Sequence, residues 1–356
     1  MVHRYWILIV IRKKTTYISI KDKYMKTKAL FIAILFGIIT VSQAQNRIGI
    51  IGLDTSHSVA FTRFLNGDDK KEEFKDFRIV AAYPYGSKTI ESSYKRIPEY
   101  IEQVKALEVE IVPSIADLLN KVDFVMLETN DGNLHLEQAY EVFKAGKTVF
   151  IDKPVGANLA QAIAIFELAK QYNVPLFTSS SLRYIEAAQK LRKGDYGEVI
   201  GADCYSPATY EPSHADLAWY GIHGVETLFT IMGEGCKAVN RMSSEGTDIS
   251  VGLWEDGRIG TVRGMRTGKP EYGGQAFTAE GVLNVGPYIG YEPLLINILE
   301  FFKSGVSPVS EKETLEIFTY IEAADESKRK EGKIILMEET YKKGAEEAHR
   351  LIKCLK

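Results

Sequence analysis

The chain has 356 residues, of which 45% are hydrophobic and 26% charged, with a formal net charge of −3. That composition is ordinary for a folded globular protein, and the length suits two domains with separate cores. The charge balance, without a dense Lys/Arg cluster, leaves a nucleic-acid binder no electrostatic footprint. Cys204, Cys236 and Cys354 lie far apart with no CxxC pair, which excludes a disulfide framework and predicts unpaired thiols.

From Met25 the sequence reads MKTKALFIAILFGIITVSQAQ. Lys26 and Lys28 form a short cationic start, and Ala29 to Val41 an apolar run too short to span a bilayer as a helix of about 20 residues. Ser42-Gln43-Ala44 is a small-x-small cleavage site. This build predicts a secretory signal over 25–44, a mature chain beginning at Gln45, and a periplasmic or secreted protein with no lasting membrane anchor. Residues 1–24 fit no targeting pattern and read as an over-called start, with Met25 as initiator.

Arg47-Ile48-Gly49-Ile50-Ile51-Gly52 is an apolar run ending in glycine, as a buried parallel strand would be. Thr55 or Ser56 then caps a predicted helix carrying Val59, Phe61, Phe64 and Leu65. Further strands at Arg78–Ala82, Val109–Val112, Asp123–Glu128 and Thr148–Ile151 alternate with helices at Pro98–Ala106, Ser114–Leu119 and His135–Ala145. Such alternation specifies right-handed βαβ units on a parallel sheet. After about residue 195 the texture changes to strand-like runs at Val199–Ser206, Val239–Ser244, Ile249–Leu253 and Arg258–Arg263, with a hairpin signal at Glu255-Asp256-Gly257. Helices are predicted at Gly221–Met232, Pro293–Phe302, Glu311–Lys328 and Glu338–Lys353. The expected fold is α/β: a Rossmann-type parallel-sheet domain over 45–180, then an α+β domain with an open, mainly antiparallel sheet over 181–356.

Several segments, in order, resemble the Gfo/Idh/MocA oxidoreductase family: the Gly49–Gly52 strand and turn, Asp123–Met126 through His135, and Ala145-Gly146-Lys147 running into Asp152-Lys153-Pro154. Ser181-Leu182-Arg183-Tyr184, Gly197-Glu198-Val199, Tyr220-Gly221-Ile222-His223 and Ala323–Ser327 continue the likeness over about residues 46–330. The resemblance implies a nicotinamide-dependent oxidoreductase acting on a secondary hydroxyl of a sugar, polyol or glycoside, and a homo-oligomer paired through the open sheet. It implies catalytic roles for Lys153 and His223, and contacts to cofactor or substrate from Glu128, Asp152, His135, Arg183 and Tyr184.

Reading the residues themselves adds detail. A Rossmann turn wants Gly-x-Gly-x-x-Gly so that backbone can approach a pyrophosphate at a helix N-terminus. Here the turn is Gly52-Leu53-Asp54-Thr55-Ser56-His57, so Asp54 and His57 stand where the second and third glycines belong. A carboxylate there is unfavourable beside a diphosphate unless it turns away, whereas Thr55, Ser56 and His57 offer donors. After the second strand no acid waits for a ribose. Ser87 and Lys88 give a lean towards NADP over NAD, against the reading of an ordinary Pro/Gly turn. Strand Thr148–Ile151 delivers Lys153 to the sheet's carboxyl edge, where its ammonium can stabilise an alkoxide. The resemblance implies an acidic partner four residues before His223; Trp219 stands there instead, and Tyr220 is the candidate replacement. An imidazole titrates near neutral pH, which suits acid/base work. The spacing of His57, His135, His214, Asp54 and Glu128 matches no compact ligand motif, so no metal is expected. Two other readings stand beside the dehydrogenase: a carbohydrate-binding protein that has lost its cofactor, and a lyase, hydrolase or isomerase with an internal redox cycle.

Overall fold

The computed structural model describes residues 45–355. The predicted export signal at 25–44 and the predicted over-called start at 1–24 lie outside the described residues.

Apolar strands that carry Ile48, Ile50, Val125, Met126, Val149 and Phe150, all fully buried, have no face to offer water and must sit between helices. They do. β1 (Asn46–Ile51), β2 (Phe77–Tyr83), β3 (Glu110–Ile111), β4 (Phe124–Leu127), β5 (Thr148–Asp152) and β6 (Leu176–Ser179) run parallel in the order β3-β2-β1-β4-β5-β6. This is the doubly wound dinucleotide-fold order, and the chain reverses its direction of growth between β1 and β4. The carboxyl ends of those two strands therefore open the crevice where such folds bind ligands. β6 and the helix before it, α5 in the numbering below, have no counterpart among the predicted elements. That helix (Leu159–Gln171) buries Leu159, Ala160, Ile163, Ala164, Phe166 and Leu168, so it lacks the polar stripe that would show a helical period.

The helices of this first layer are α1 (Ser56–Asn66), α2 (Ile97–Lys105), α3 (Ile115–Leu119), α4 (Gly132–Lys144) and α5. After α6 (Glu186–Lys193) the second sheet begins with β7 (Val199–Pro207). It continues through α7 (Ile222–Met232), β8 (Cys236–Ser243), β9 (Thr247–Trp254), β10 (Ile259–Met265), β11 (Gly273–Thr278) and β12 (Gly281–Val285). Its order is β12-β11-β7-β10-β9-β8-β13, where β13 is Ile335–Leu336. Only the β7–β10 pairing is parallel. Helices α7 and α9 (Glu311–Arg329) cover one face, and Ile200, Ile259 and Val282 stand exposed on the other. The α/β class with a mainly antiparallel second sheet is thus as expected. Strands β11 and β12 add to the predicted set. Their Gly-Gly start and their exposed, irregular alternation hid them.

Two later helices return to the first sheet. α8 (Glu292–Ser304) lays Leu294, Leu295, Ile298, Phe301 and Phe302 against Phe77, Phe124, Phe150 and Phe177. Phe302 stacks on Phe124 at 4.8 Å between centroids. On the opposite face, α10 (Met337–Leu355) runs along α5.

Candidate active site

The β1–α1 turn starts with Gly52 at φ +92°, where an added Cβ would lie 2.5 Å from the backbone nitrogen of Thr129. No side chain fits there. Two residues on, Asp54 turns inward and is fully buried. Its carboxylate accepts the backbone N–H of Ser87 at 3.1 Å and of Asn130 at 3.0 Å, joining the loops that follow β2 and β4. Burial pushes this carboxyl up to about 6, against the pull of those two N–H groups. Ser87 is buried as well and donates its hydroxyl to Asp131 at 2.9 Å. The crevice between the β2 and β4 loops is therefore latched at this point.

Beyond the latch lies a cleft of about 390 Å³. Its floor is Asp152 and Lys153 at the end of β5, and one wall is Thr55, Ser56 and His57 at the start of α1. The opposite wall comes from the second half: Tyr220, His223, Tyr272, Tyr288 and Tyr291. Lys153 Nζ stands 5.7 Å from the centroid of the Tyr220 ring. His223 is buried, with Nδ1 2.7 Å from Ser180 Oγ. Burial, then the neighbouring Lys153 and His57, hold its pKa well below the usual imidazole value. It is a neutral imidazole at neutral pH rather than one poised at its titration point. Tyr220 precedes α7 instead of sharing its face, and its carbonyl accepts the His223 N–H at 3.2 Å.

Of the residues singled out in the sequence, Thr55, Ser56, His57, Asp152, Lys153, Tyr220 and His223 meet in this cleft. Others do not reach it. Gly52 and Asp54 lie beneath it, Ser87 is spent on Asp131, and Lys88 is exposed away from it. Arg183 is 2% exposed and pairs with Glu226 at 2.8 Å and Glu313 at 2.7 Å, so it is tied into the core rather than offered to a substrate. Tyr184 packs in the apolar cluster beneath the first sheet. His135 is fully buried between the carbonyls of Thr129 and Val155, at 2.6 and 3.3 Å. Burial drives its pKa down too, as befits a neutral strut. His214 accepts the Gly132 N–H at the start of α4 and is pushed down to about 4 by burial. Sequence reasoning missed Arg96, Ser92, Asn130, Tyr288 and Tyr291 on the cleft wall. No local spacing connects them to the turn at residue 52. Ser56 Oγ is 3.1 Å from the Tyr291 hydroxyl, a contact made across 235 residues.

Just under the cleft, His57, Glu128 and Asp152 form a buried knot. His57 Nδ1 is 3.1 Å from Asp152 Oδ1 and 3.8 Å from Glu128 Oε2. Burial and the adjacent Asp152 raise the Glu128 pKa well above the carboxylate range. For Asp152 burial works the same way, but His57 and Lys153 outweigh it and hold its pKa low.

Residues 46–180 match the family model described as oxidoreductase family, NAD-binding Rossmann fold. That segment, well under half of the chain, is similar to the Gfo/Idh/MocA oxidoreductase family. It is 26% identical over 138 residues to the uncharacterized oxidoreductase YhhX of Escherichia coli (strain K12), a match covering 35% of this chain and 40% of that protein. The fold aligns with a putative myo-inositol dehydrogenase from Sinorhizobium meliloti at a TM-score of 0.68 and 15% identity, covering 82% of this chain and all of the other. Scyllo-inositol dehydrogenase from Lactobacillus casei, solved with NAD(H) and scyllo-inositol, aligns at 0.63 with 16% identity, covering 83% of this chain and 99% of the other.

Likeness to a NAD-binding Rossmann family raises the question of whether these residues suit a dinucleotide. At the diphosphate end they do. The N-cap Thr55 makes no side-chain cap bond, α1 has no acid in its first turn, and Thr55 Oγ1 is buried without a partner among the described residues. Free N–H groups at a helix start favour an anion, and Arg96 and Ser56 line the same wall. Asp54 has turned its charge away. The ribose end has no clamp of its own, since Ser87 and Lys88 stay outside the cleft.

Proposed function

We propose that the chain is a nicotinamide-dependent oxidoreductase acting on a secondary hydroxyl of a sugar, polyol or glycoside. One observation carries this reading: Lys153 and the neutral His223 converge on a single tyrosine-lined cleft beside the open N-terminus of α1. The dehydrogenases of like fold, one of them solved with scyllo-inositol and NAD(H), support the substrate class.

Thr55, Ser56 and Arg96 would hold the diphosphate, and Asp152 and Lys153 would lie at the nicotinamide end. Hydride acceptance is the chemistry a nicotinamide supplies when bound. The chain's residues then handle the rest. Lys153 donates a hydrogen bond to the hydroxyl oxygen and stabilises the alkoxide charge that grows as the carbon loses hydride. His223 Nδ1 lies 2.7 Å from Ser180 Oγ, and in the tautomer that carries its proton on Nδ1 the ring leaves Nε2 to take the hydroxyl proton. Tyr220, Tyr272 and Tyr288 present ring faces and hydroxyls suited to a polyhydroxylated ring. We also propose that residues 25–44 export the chain. A nicotinamide kept tightly bound and recycled on a second substrate would suit that compartment.

The test has two parts. Natively purified protein, denatured and analysed by mass spectrometry, should release NAD or NADP. Lys153→Ala should then lower kcat by on the order of 10²–10³ while folding and dinucleotide binding persist. Empty protein that also fails to bind added NAD or NADP sinks the proposal in favour of a carbohydrate binder, a reading to which the latched Asp54–Ser87 crevice already lends weight.

A further inference from the structure

We propose that His57, Glu128 and Asp152 are the protein ligands of a divalent transition-metal ion, of the zinc or manganese kind, with an open coordination position towards the cleft.

The donor atoms stand where such an ion would need them. His57 Nδ1, a Glu128 oxygen and an Asp152 oxygen all lie within 4.8 Å of one another, with closer approaches of 3.1 and 3.8 Å to the imidazole. Ligands about 2.0–2.2 Å from one tetrahedral ion stand roughly 3–4 Å apart, so a small closure completes the set. The three side chains are 5%, 0% and 1% exposed. Neither Glu128 oxygen has a hydrogen-bond partner among the described residues, and Asp152 has no well-aligned one, though His57 Nδ1 stands 3.1 Å away. Buried carboxylates are normally satisfied, and two so placed side by side call for a cation or a proton.

Among the described residues the nearest fixed cation is Lys153, whose charge favours the Asp152 anion but which makes no ion pair with either carboxylate. Lys153 directs its ammonium over the Tyr220 ring, Asp54 adds negative charge from below, and the Tyr291 ring meets His57 edge-on at 4.3 Å. One imidazole with two carboxylates suits zinc, manganese or ferrous iron, whereas magnesium prefers oxygen alone. His57 and Asp152 line the cleft while Glu128 lies behind them, so the side facing Lys153 is open. Three protein ligands and one exchangeable position is the plan of a reactive metal site rather than a closed structural one. The three ligands come from α1, the loop after β4 and the end of β5, which is why sequence spacing gave no metal signature.

This inference stands apart from the hydride reading, because metal content is measured without substrate or nicotinamide. Full-length protein stripped with chelator is equilibrated with zinc or manganese, gel-filtered, and assayed for metal by mass spectrometry and, for manganese, by electron paramagnetic resonance. One ion per chain is expected. Glu128→Gln and Asp152→Asn should each weaken binding at least about tenfold, since even partners of a ligand cost 10–100-fold. Glu128→Gln removes a buried ionisable group, so its metal-free form should unfold in urea no earlier than wild type, which separates lost binding from lost folding. Two results would overturn the proposal. One is wild-type protein that takes up neither ion at about 100 μM free metal, a dissociation constant weaker than roughly −5.5 kcal/mol of binding. The other is equal uptake by wild type and both variants; a proton shared by Glu128 and Asp152 would then account for the cluster.

Discussion

Two knots of buried charge sit in opposite halves of this molecule, and they are built on different plans. In the second half Arg241, 1% exposed, reaches Asp325 at 2.5 Å, Asp248 at 2.8 Å and Asp216 at 3.0 Å. Arg266 also pairs with Asp248, and Lys328 with Asp216 at 2.7 Å. Every carboxylate there meets a guanidinium or an ammonium. At the edge of the first sheet, Glu128 and Asp152 are as deeply buried, yet among the described residues one imidazole is the only cationic side chain within ion-pair distance of them. Burial alone does not separate a structural cluster from a functional one. The separating property is whether the charges are already answered within the protein.

Cutting each knot sharpens that contrast. Arg241→Met leaves three acids facing one another and should cost about 3–5 kcal/mol in urea unfolding, the usual result of breaking a buried ion pair. A loss below about 1 kcal/mol would show that the Arg241 network is not holding the second sheet against α9.

Asp54 lies between the two plans, a buried carboxylate answered only by backbone N–H groups. Asp54→Ala strands those two donors and should cost about 1–3 kcal/mol at pH 7. The pH dependence has a definite sign. The folded carboxyl, pushed up to about 6, keeps its proton longer than the unfolded one near 3.8, so wild-type stability falls as pH rises between those values. The cost of Asp54→Ala should therefore be larger at pH 4.5 than at pH 7, by about 2 kcal/mol. A cost that grows with pH instead would mean the carboxylate is stabilised as an anion, contrary to its burial.

The smallest effect concerns His223, whose imidazole is already neutral. Its ring nitrogens should show no titration between pH 6 and 8 by nitrogen-15 NMR, with the proton on Nδ1. A midpoint inside that range, or a proton on Nε2, would remove it as the acceptor of the hydroxyl proton.

Much of this was legible in the residues, and the rest failed for identifiable reasons. The alternation of short apolar strands with helices from Arg47 to Ile151 was readable because both periods are local. Lys153 was readable because strand order fixes which edge a strand end reaches. The turn at Asp54 announced a departure from a glycine-rich loop, and the carboxylate does turn away. Arg183 and His135 misled because a charged or imidazole side chain in a family motif looks the same whether it meets substrate or a buried partner. Only packing against Glu226, Glu313, Thr129 and Val155 tells them apart. Helix α5 escaped because burial on all sides erases periodicity. The His57–Glu128–Asp152 grouping was out of reach, since it is assembled at the ends of three different strands.

Helix α8 has a mechanical consequence for the cleft. Its Phe301 and Phe302 are rooted among Phe177 and Phe124 of the first sheet, while Tyr291 at its start touches Ser56 and His57. Lifting α8 off the first sheet would expose that apolar face, and exposing even 200 Å² of apolar surface costs about 5 kcal/mol. The stretch of wall that Tyr291 forms is therefore fixed to the sheet that carries Asp152 and Lys153, so any rearrangement that widens the cleft has to carry the three together.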